Sequence, residues 1–389
     1  MAKEKFTVSI PDDTLKDLRE RLARTRFAPE FANSKWEYGT NGTYLKELID
    51  YWRDTFDWRK VEREINAFSH YKTTIDGIPI HFIHEPGKGP KPIPLIMSHG
   101  WPWTFWDLHK VIRPLTDPAS FGGDARDAFD IVVPSLPGYG FSNPLTTPGI
   151  NYWNTADLWV KLMRDELGYD KFAAQGGDWG ALITAQLGHK YAQHLIGIHL
   201  HLMINLDYFG GGPGPAPEDF GPGEEGWLEH GRKFFRDGSA YMAMQSTRPQ
   251  TVAFALNDSP AGLCSWILEK RRAWSDCNGN VETRFSKDDL CTTMTLYWAT
   301  QTYGTSARYY YEGLHNLWKP SHDRHPVVEA PTGAAVFQKE VFLMPRKWAE
   351  KYYNLKRWTV MPSGGHFASM EEPERLVEEI RAFFRPLRA

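Results

Sequence analysis

The ten residues from Lys171 to Gly180, KFAAQGGDWG, limit what this chain can fold into more than any other stretch. A strand-forming run ends in Gly176-Gly177-Asp178-Trp179-Gly180, and the helix formers Ala181, Leu182, Ala185, Gln186 and Leu187 follow at once. That is a strand, a sharp turn and a helix. Such a turn crowds its own backbone, so glycines two residues before and two after the apex relieve the crowding and lift the apical side chain clear. The same five residues also suit an ordinary solvated Gly/Asp turn, and the surrounding sequence has to decide between the two.

The apex is Asp178, where the best-known form of this elbow carries serine. A serine needs a base before it attacks, whereas a carboxylate is ionised at neutral pH and attacks directly. Attack on a carbonyl would gain little, because the mixed anhydride formed is as reactive as the starting acyl group. Attack on a strained or halogenated sp³ carbon gives a stable alkyl ester. The elbow therefore points to epoxides or alkyl halides.

The 389 residues are enough for one large α/β domain with insertions or for two domains. A net charge of -3 gives no electrostatic case for a nucleic-acid partner. The 16 tryptophans suit a core and a pocket for an apolar ligand. Cys264, Cys277 and Cys291 are odd in number and match no metal spacing, so they read as reduced thiols. Met1-Ala2-Lys3-Glu4-Lys5 has neither a signal-peptide nor a transit-peptide character, and no apolar run approaches membrane-spanning length. The expectation is a cytoplasmic protein with no membrane anchor.

Phe6, Val8 and Ile10 alternate as in a short strand, and helical patterns follow with Leu15, Leu18 and Leu22, then with Leu45, Leu48, Ile49 and Trp52. Residues 1–70 thus form an N-terminal meander that packs on later elements. A hairpin over Tyr71 to His84 turns at Asp76-Gly77. Buried strands follow at Ile93 to Ser98 and Asp130 to Val133, and after a helix from Asn154 to Leu167 come the elbow strand and another at His194 to Met203. Strands alternating with helices imply a mostly parallel sheet with its site at the carboxyl ends of strands. The Gly/Pro-rich run from Phe209 to Gly226 marks a boundary. Residues 71–208 are the first part of the core, 209–318 a helical cap, and 319–389 the second part, with strands at Gly333 to Phe337 and Trp358 to Met361 and a closing helix from Glu374 to Phe384.

An ester on Asp178 must be hydrolysed, which needs a water, a base and a group to orient the base. His366 follows the last strand through a glycine-containing loop, and elbow hydrolases run in the order nucleophile, acid, histidine. Glu340, just beyond the Gly333 to Phe337 strand, fits the acid, with Asp323, Glu329 and Glu350 as competitors. Backbone amides of Trp179 and of Trp101, in the His99-Gly100-Trp101-Pro102 turn, are the natural oxyanion donors. Pro102, Trp103 and Phe367 are the neighbours expected along the substrate pocket.

The segments FTVSIPDDTLKDLRERLARTR, HGWP, PSLPGYGFS, GGDWG, Ser246-Thr247-Arg248-Pro249 and GGHFA together resemble the epoxide hydrolases of the microsomal and juvenile-hormone type, in their soluble fungal and bacterial form. The resemblance covers nearly the whole chain. It implies an α/β-hydrolase fold: a mostly parallel eight-stranded sheet with helices on both faces, a helical cap and an N-terminal meander. It also implies Asp178 as nucleophile, Glu340 and His366 as the charge-relay pair, and Tyr241 and Tyr310 as the cap tyrosines that donate to the epoxide oxygen. Tyr309 or Tyr311 replaces Tyr310 if the helix register shifts by one. A neutral phenol, with a pKa near ~10, keeps its proton at neutral pH and can polarise the ring oxygen. Two departures stand out: Trp103 where the family commonly has glycine, and Gln338 where it usually has proline.

The expected partners are a small apolar epoxide and water, with no cofactor and no metal; a homodimer stays open. A haloalkane dehalogenase would share the aspartate elbow but typically has a halide-binding Asn where Trp101 stands, and Gly180 to Gln186 offers no arginine for a fluoroacetate carboxylate. A ligand-binding relative without turnover usually lacks part of the triad. His199 and His201 sit at i and i+2 without a third metal ligand in view, and Lys270-Arg271-Arg272 reads as a solvated helix face.

Overall fold

The structure is a computed structural model. It describes residues 3–388, so Met1 and Ala2, on which the reading of the N-terminal start partly rests, lie outside the described residues. Its strands are β1 (Glu4–Phe6), β2 (His70–Ile75), β3 (Ile78–Glu85), β4 (Ile93–Ser98), β5 (Phe129–Pro134), β6 (Phe172–Gly176), β7 (Leu195–Leu200), β8 (Val328–Lys339) and β9 (Tyr353–Gly365). They form one sheet in the order β1-β2-β3-β5-β4-β6-β7-β8-β9. Pairing is antiparallel from β1 to β5 and parallel from β5 through β4 to β9. The expected eight strands are therefore nine among the described residues. Glu4–Phe6 pairs with His70–Lys72 and extends the antiparallel edge, so the N-terminal segment is part of the sheet as well as a wrapping around it.

Asp76 and Gly77 close the β2–β3 hairpin with φ of 52° and 80°, the left-handed pair that a two-residue hairpin turn requires. The N-terminal helices are α1 (Asp12–Ala23), α2 (Gly42–Asp54) and α3 (Trp58–Ile65), with apolar stripes such as Leu15, Leu18 and Leu22 buried. In the core lie α4 (His109–Thr116), α5 (Tyr152–Lys161) and α6 (Trp179–Lys190). The cap comprises α7 (Trp227–Lys233), α8 (Ala240–Thr247), α9 (Pro249–Asp258), α10 (Pro260–Ala273), α11 (Lys287–Ala299) and α12 (Tyr303–His315), followed by α13 (Arg346–Tyr352), α14 (Ala368–Glu371) and α15 (Pro373–Phe384).

Strand parity shows how the sheet is covered. Gly188 of α6 abuts Ile198 on one face of β7, while Phe383 of α15 reaches Gly197 and His199 on the other. Both faces are thus buried, which is why the parallel strands read as continuous apolar runs rather than alternating ones. Among the described residues, no helix is long and apolar enough to cross a membrane.

The N-terminal helices lean on the cap. The Trp52 indole donates to Thr295 Oγ1 at 2.9 Å, and the Thr40 hydroxyl donates to the Ser265 carbonyl at 2.7 Å. The cap is in turn tied to the core by a residue that sequence reasoning misplaced. Arg271 faces inward, 1% exposed, and its Nη1 pairs with Asp107 Oδ1 at 2.5 Å. Its Nη2 donates to the Pro102 carbonyl at 3.0 Å, and its guanidinium lies 4.3 Å from the Phe367 ring centroid. Lys270 is buried as well. Of the basic run only Arg272 behaves as a helix face toward solvent, because α10 is sandwiched between α2 and α11 and has little free surface.

Removing one member of a buried ion pair leaves the other uncompensated, a loss of about 3–5 kcal/mol. Arg271→Met should therefore lower the urea midpoint strongly at pH 7. Arg271→Met combined with Asp107→Asn should recover part of that loss, since the stranded charge goes while the acceptor for the Thr104 amide stays. A double variant no more stable than Arg271→Met would contradict this account.

Candidate active site

Register along the parallel strands brings the candidate residues together. Ser98 of β4 pairs with Gly176 of β6 at the carboxyl ends of both strands, and Trp101 and Asp178 come three and two residues later. Lys339 of β8 pairs with Gly365 of β9, so Glu340 and His366 are the next residues on adjacent strands. All four sit at one edge of the sheet.

Asp178 adopts φ 52° and ψ -127°, a region that costs a non-glycine residue roughly 1–3 kcal/mol. The two flanking glycines make that turn possible. A Cβ on Gly176 would lie 2.2 Å from the Gly180 carbonyl oxygen, and one on Gly180 would lie 2.0 Å from that of Ser98. Held in this way, the carboxylate stands at the N-terminus of α6, where the helix dipole favours negative charge. Its Oδ1 accepts from the Trp101 amide at 2.7 Å, and its Oδ2 faces His366 Nε2 at 3.4 Å. The Trp179 amide opens α6 directly beside it.

His366 Nδ1 donates to Glu340 Oε1 at 2.5 Å, and Glu340 Oε1 also accepts from the Val341 amide at 2.7 Å. Both side chains are 1% exposed. Burial alone pulls the imidazole pKa down, but the carboxylates of Glu340 and Asp178 outweigh it and push it up to about 10. At neutral pH an imidazolium thus sits between two carboxylates. The competing acids lie elsewhere: Glu329 pairs with Arg324 at 2.6 Å, Glu350 with Arg346 at 2.8 Å, and Asp323 is exposed. Gln338 donates to the Met361 carbonyl at 3.1 Å, keeping β8 and β9 joined without the proline expected there.

From the cap, Tyr241 on α8 and Tyr310 on α12 face the same cavity as Asp178 and His366. Their rings meet edge to face, 5.8 Å apart. Consecutive residues on a helix point about 100° apart, so only one of the three adjacent tyrosines can look into the cavity. Tyr309 turns to Thr155, 2.5 Å away, and Tyr311 stacks outside on His315. Burial, with the Asp178 charge or the partner tyrosine adding to it, raises the Tyr241 and Tyr310 phenols well above their ordinary value, so both stay protonated donors.

Of the remaining expected neighbours, only Trp179 is among the residues that wall this cavity. Trp101 stacks flat on Tyr241, with 5.0 Å between ring centroids, and Trp179 does line the cavity. Trp103 and Phe367 pack against the His366 ring at 5.4 and 5.1 Å, and Pro102 is held by Arg271. Trp103 therefore backs the imidazole and leaves the cavity's width to other residues, in contrast to the expectation for that position. His201 stacks on Trp103 and its Nδ1 accepts from Gln175 at 2.9 Å. Among the described residues, no group of three His, Cys, Asp or Glu is arranged to hold a metal.

Two family models match the chain: "Epoxide hydrolase N terminus" over residues 3–108 and "alpha/beta hydrolase fold" over residues 93–208. Epoxide hydrolase 1 of Oryctolagus cuniculus is 39% identical over 405 residues, covering 97% of this chain and 88% of that protein. The chain belongs to the epoxide hydrolases. The solved structure of the Aspergillus niger epoxide hydrolase superposes with a TM-score of 0.86 at 28% identity, over 100% of this chain and 97% of that one. The juvenile hormone epoxide hydrolase of Bombyx mori gives a TM-score of 0.86 at 28% identity, over 99% and 95%.

The cavity of this epoxide hydrolase is small, about 40 Å³. Most of its wall went unnoticed in the sequence: Tyr208 at the end of the first core part, Phe209 and Phe234 from the cap, Trp274 beyond α10, and Phe342 after the acid. Nothing in their local pattern separates them from core aromatics. Position was the one available signal for Phe342, which lies two residues past Glu340.

The raised His366 pKa links stability to pH. Because the folded value lies above the unfolded one, this stabilisation is fully present below pH ~6.5 and is lost as the pH rises toward about 10. The stability gap between wild type and His366→Gln should be constant below pH ~6.5 and shrink steadily above it. Thermal unfolding across that range checks this; a gap that widens with pH would contradict it.

Proposed function

We propose that the enzyme converts an apolar epoxide to a vicinal diol through an ester on Asp178, without a cofactor. The observation that carries this reading is the meeting of one carboxylate, one imidazole and two phenols around a single cavity. Asp178 Oδ2 attacks one ring carbon as that carbon's bond to the ring oxygen breaks. The leaving oxygen takes a proton from Tyr241 or Tyr310, and that phenol is made good by the His366 imidazolium through a water. Esterification removes the Asp178 charge, so the imidazole loses part of what held its pKa up and becomes a base.

The neutral His366, oriented by Glu340, then takes a proton from water as the hydroxide adds to the ester carbonyl. The oxyanion forms on the oxygen that the Trp101 amide already holds, with the Trp179 amide as the second donor. Collapse returns the imidazole's proton to the diol oxygen. The carboxylic acid left behind passes its own proton back to His366, restoring the starting state.

An apolar substrate is supported by a second, larger cavity of about 710 Å³ that shares Tyr208, Phe209, Met242 and Phe342 with the inner one. The epoxide ring fits the inner space while its substituent occupies the outer. In this reading residues 1–70 brace the cap, 209–318 supply the phenols, and 71–208 with 319–389 supply the nucleophile and the relay. The three buried thiols fit a cytoplasmic location.

A single turnover in ¹⁸O water should leave label in the Asp178 carboxylate, read by mass spectrometry of its peptide; labelled diol beside an unlabelled peptide would rule out the ester. Replacing Tyr241 and Tyr310 together with Phe should slow ring opening by about 10²–10⁴-fold, followed as loss of the fluorescence change on mixing with epoxide. Unaltered ring opening in that double variant would remove the phenols from the mechanism.

A further inference from the structure

His366 is held through its neighbours' backbone, and one buried carboxylate makes most of those bonds. Glu371, the last residue of α14, is 7% exposed. Its Oε1 accepts from the Phe367 amide at 2.9 Å, and its Oε2 accepts from the Gly365 amide at 3.1 Å and from the Asp276 amide at 2.7 Å. Gly365 and Phe367 are the residues on either side of His366. Asp276 belongs to the cap loop after α10. That loop returns two further bonds: the His366 amide donates to the Trp274 carbonyl at 2.9 Å, and the Gly364 amide donates to Asp276 Oδ2 at 3.0 Å.

We propose that Glu371 is a positioning residue, which fixes the His366 imidazole and its water against the Asp178 ester and so serves the second half-reaction. This rests on the covalent route proposed above. The physical case is that hydrogen bonds to an ionised acceptor are roughly twice as strong as neutral ones, and here two of them, from Gly365 and Phe367, bracket the relay histidine while a third, from Asp276, ties the cap loop to the same carboxylate. Among the described residues, the other carboxylates near the site each hold a single backbone amide or none: Glu340 takes the imidazole and the Val341 amide, Asp178 takes the Trp101 amide, Asp276 takes Arg284 and the Gly364 amide, and Glu372 takes Arg284. Burial pushes the Glu371 carboxyl up to about 7, with the Glu340 charge adding to it, while the Asp276 and Phe367 amides and the Arg284 guanidinium oppose. Above that pH the staple carries its full charge.

The alternative is that Glu371 merely stabilises α14, and the half-reactions separate the two. The bond-breaking step of ring opening uses Asp178 and the phenols, with His366 only restoring the phenol's proton afterwards, whereas hydrolysis needs His366 in place. Glu371→Gln loses at least one acceptor and turns an amide N–H toward a backbone N–H. The full-length protein is mixed with styrene oxide at pH 8.5 and followed by stopped-flow tryptophan fluorescence, with quenched samples read by mass spectrometry. Ester formation should stay within about threefold of wild type while ester hydrolysis slows about 10–100-fold, so kcat and KM fall together and kcat/KM holds. Glu371→Asp, which keeps the charge at shorter reach, should lie between; it also carries the test if the Gln variant does not fold. Equal slowing of both half-reactions, or unchanged hydrolysis in a folded variant, overturns the proposal. If neither wild type nor variant ever shows an adduct on Asp178, the covalent route itself fails; an adduct that decays equally fast in both defeats only the role of Glu371.

Discussion

Two carboxylates share one imidazolium in a space that water barely reaches, and the rest of the structure answers that constraint. Asp178 and Glu340 together outnumber the His366 charge, so the site carries a net negative charge in surroundings where an uncompensated ion is costly. Fixed dipoles make up the difference. The Trp101 amide and the α6 N-terminus face Asp178, and the Val341 amide faces Glu340. These donors come from backbone at strand ends, which explains why the site needs a parallel sheet whose strands finish level with one another.

In the proposed cycle that arrangement also separates the catalytic work between two bodies of the fold. The carboxylates and the imidazole rise from the sheet, whereas the phenols descend from α8 and α12 of the cap. Neither half closes the cavity alone. Their relative placement depends on buried polar ties, chiefly Arg271 to Asp107 and Pro102, Tyr297 to the Trp103 carbonyl at 2.8 Å, and Trp274 to the His366 amide. Polar ties of this kind specify one docking geometry more sharply than apolar contact does, since a slip of one residue would strand a charge.

The elbow, the HGWP turn and the histidine loop were legible in the sequence because each imposes a local backbone demand that only certain residues meet. Gly176 and Gly180 are required by contacts shorter than any side chain allows, and a reader of the sequence can infer them from spacing alone. Tyr310 could be narrowed only to three adjacent positions, since the face a helix turns inward is set by what packs against it. The same limit explains the errors. Lys270, Arg271 and Arg272 look like a solvated face until α2 and α11 enclose α10, and the alternation of Phe6, Val8 and Ile10 marked a short strand without showing that Glu4–Phe6 would pair with His70–Lys72 and join the sheet. Trp103 was assigned to the pocket from its neighbours in sequence, but the turn after Trp101 directs it behind the imidazole.

The separation into cap and sheet bears on how the proposed cycle is timed. Ring opening calls on both bodies at once, so it reports how well the cap is seated. Hydrolysis of the ester uses groups that all belong to the sheet, yet the loop bearing His366 donates hydrogen bonds to Trp274 and Asp276 of the cap. In the proposed cycle the second step is therefore coupled to the first through backbone. A cap that loosened to release diol would also relax the histidine loop, and hydrolysis would be fastest while the cavity remains shut. Enclosure, in this view, protects the ester from premature opening as much as it excludes bulk water from the charges that surround it.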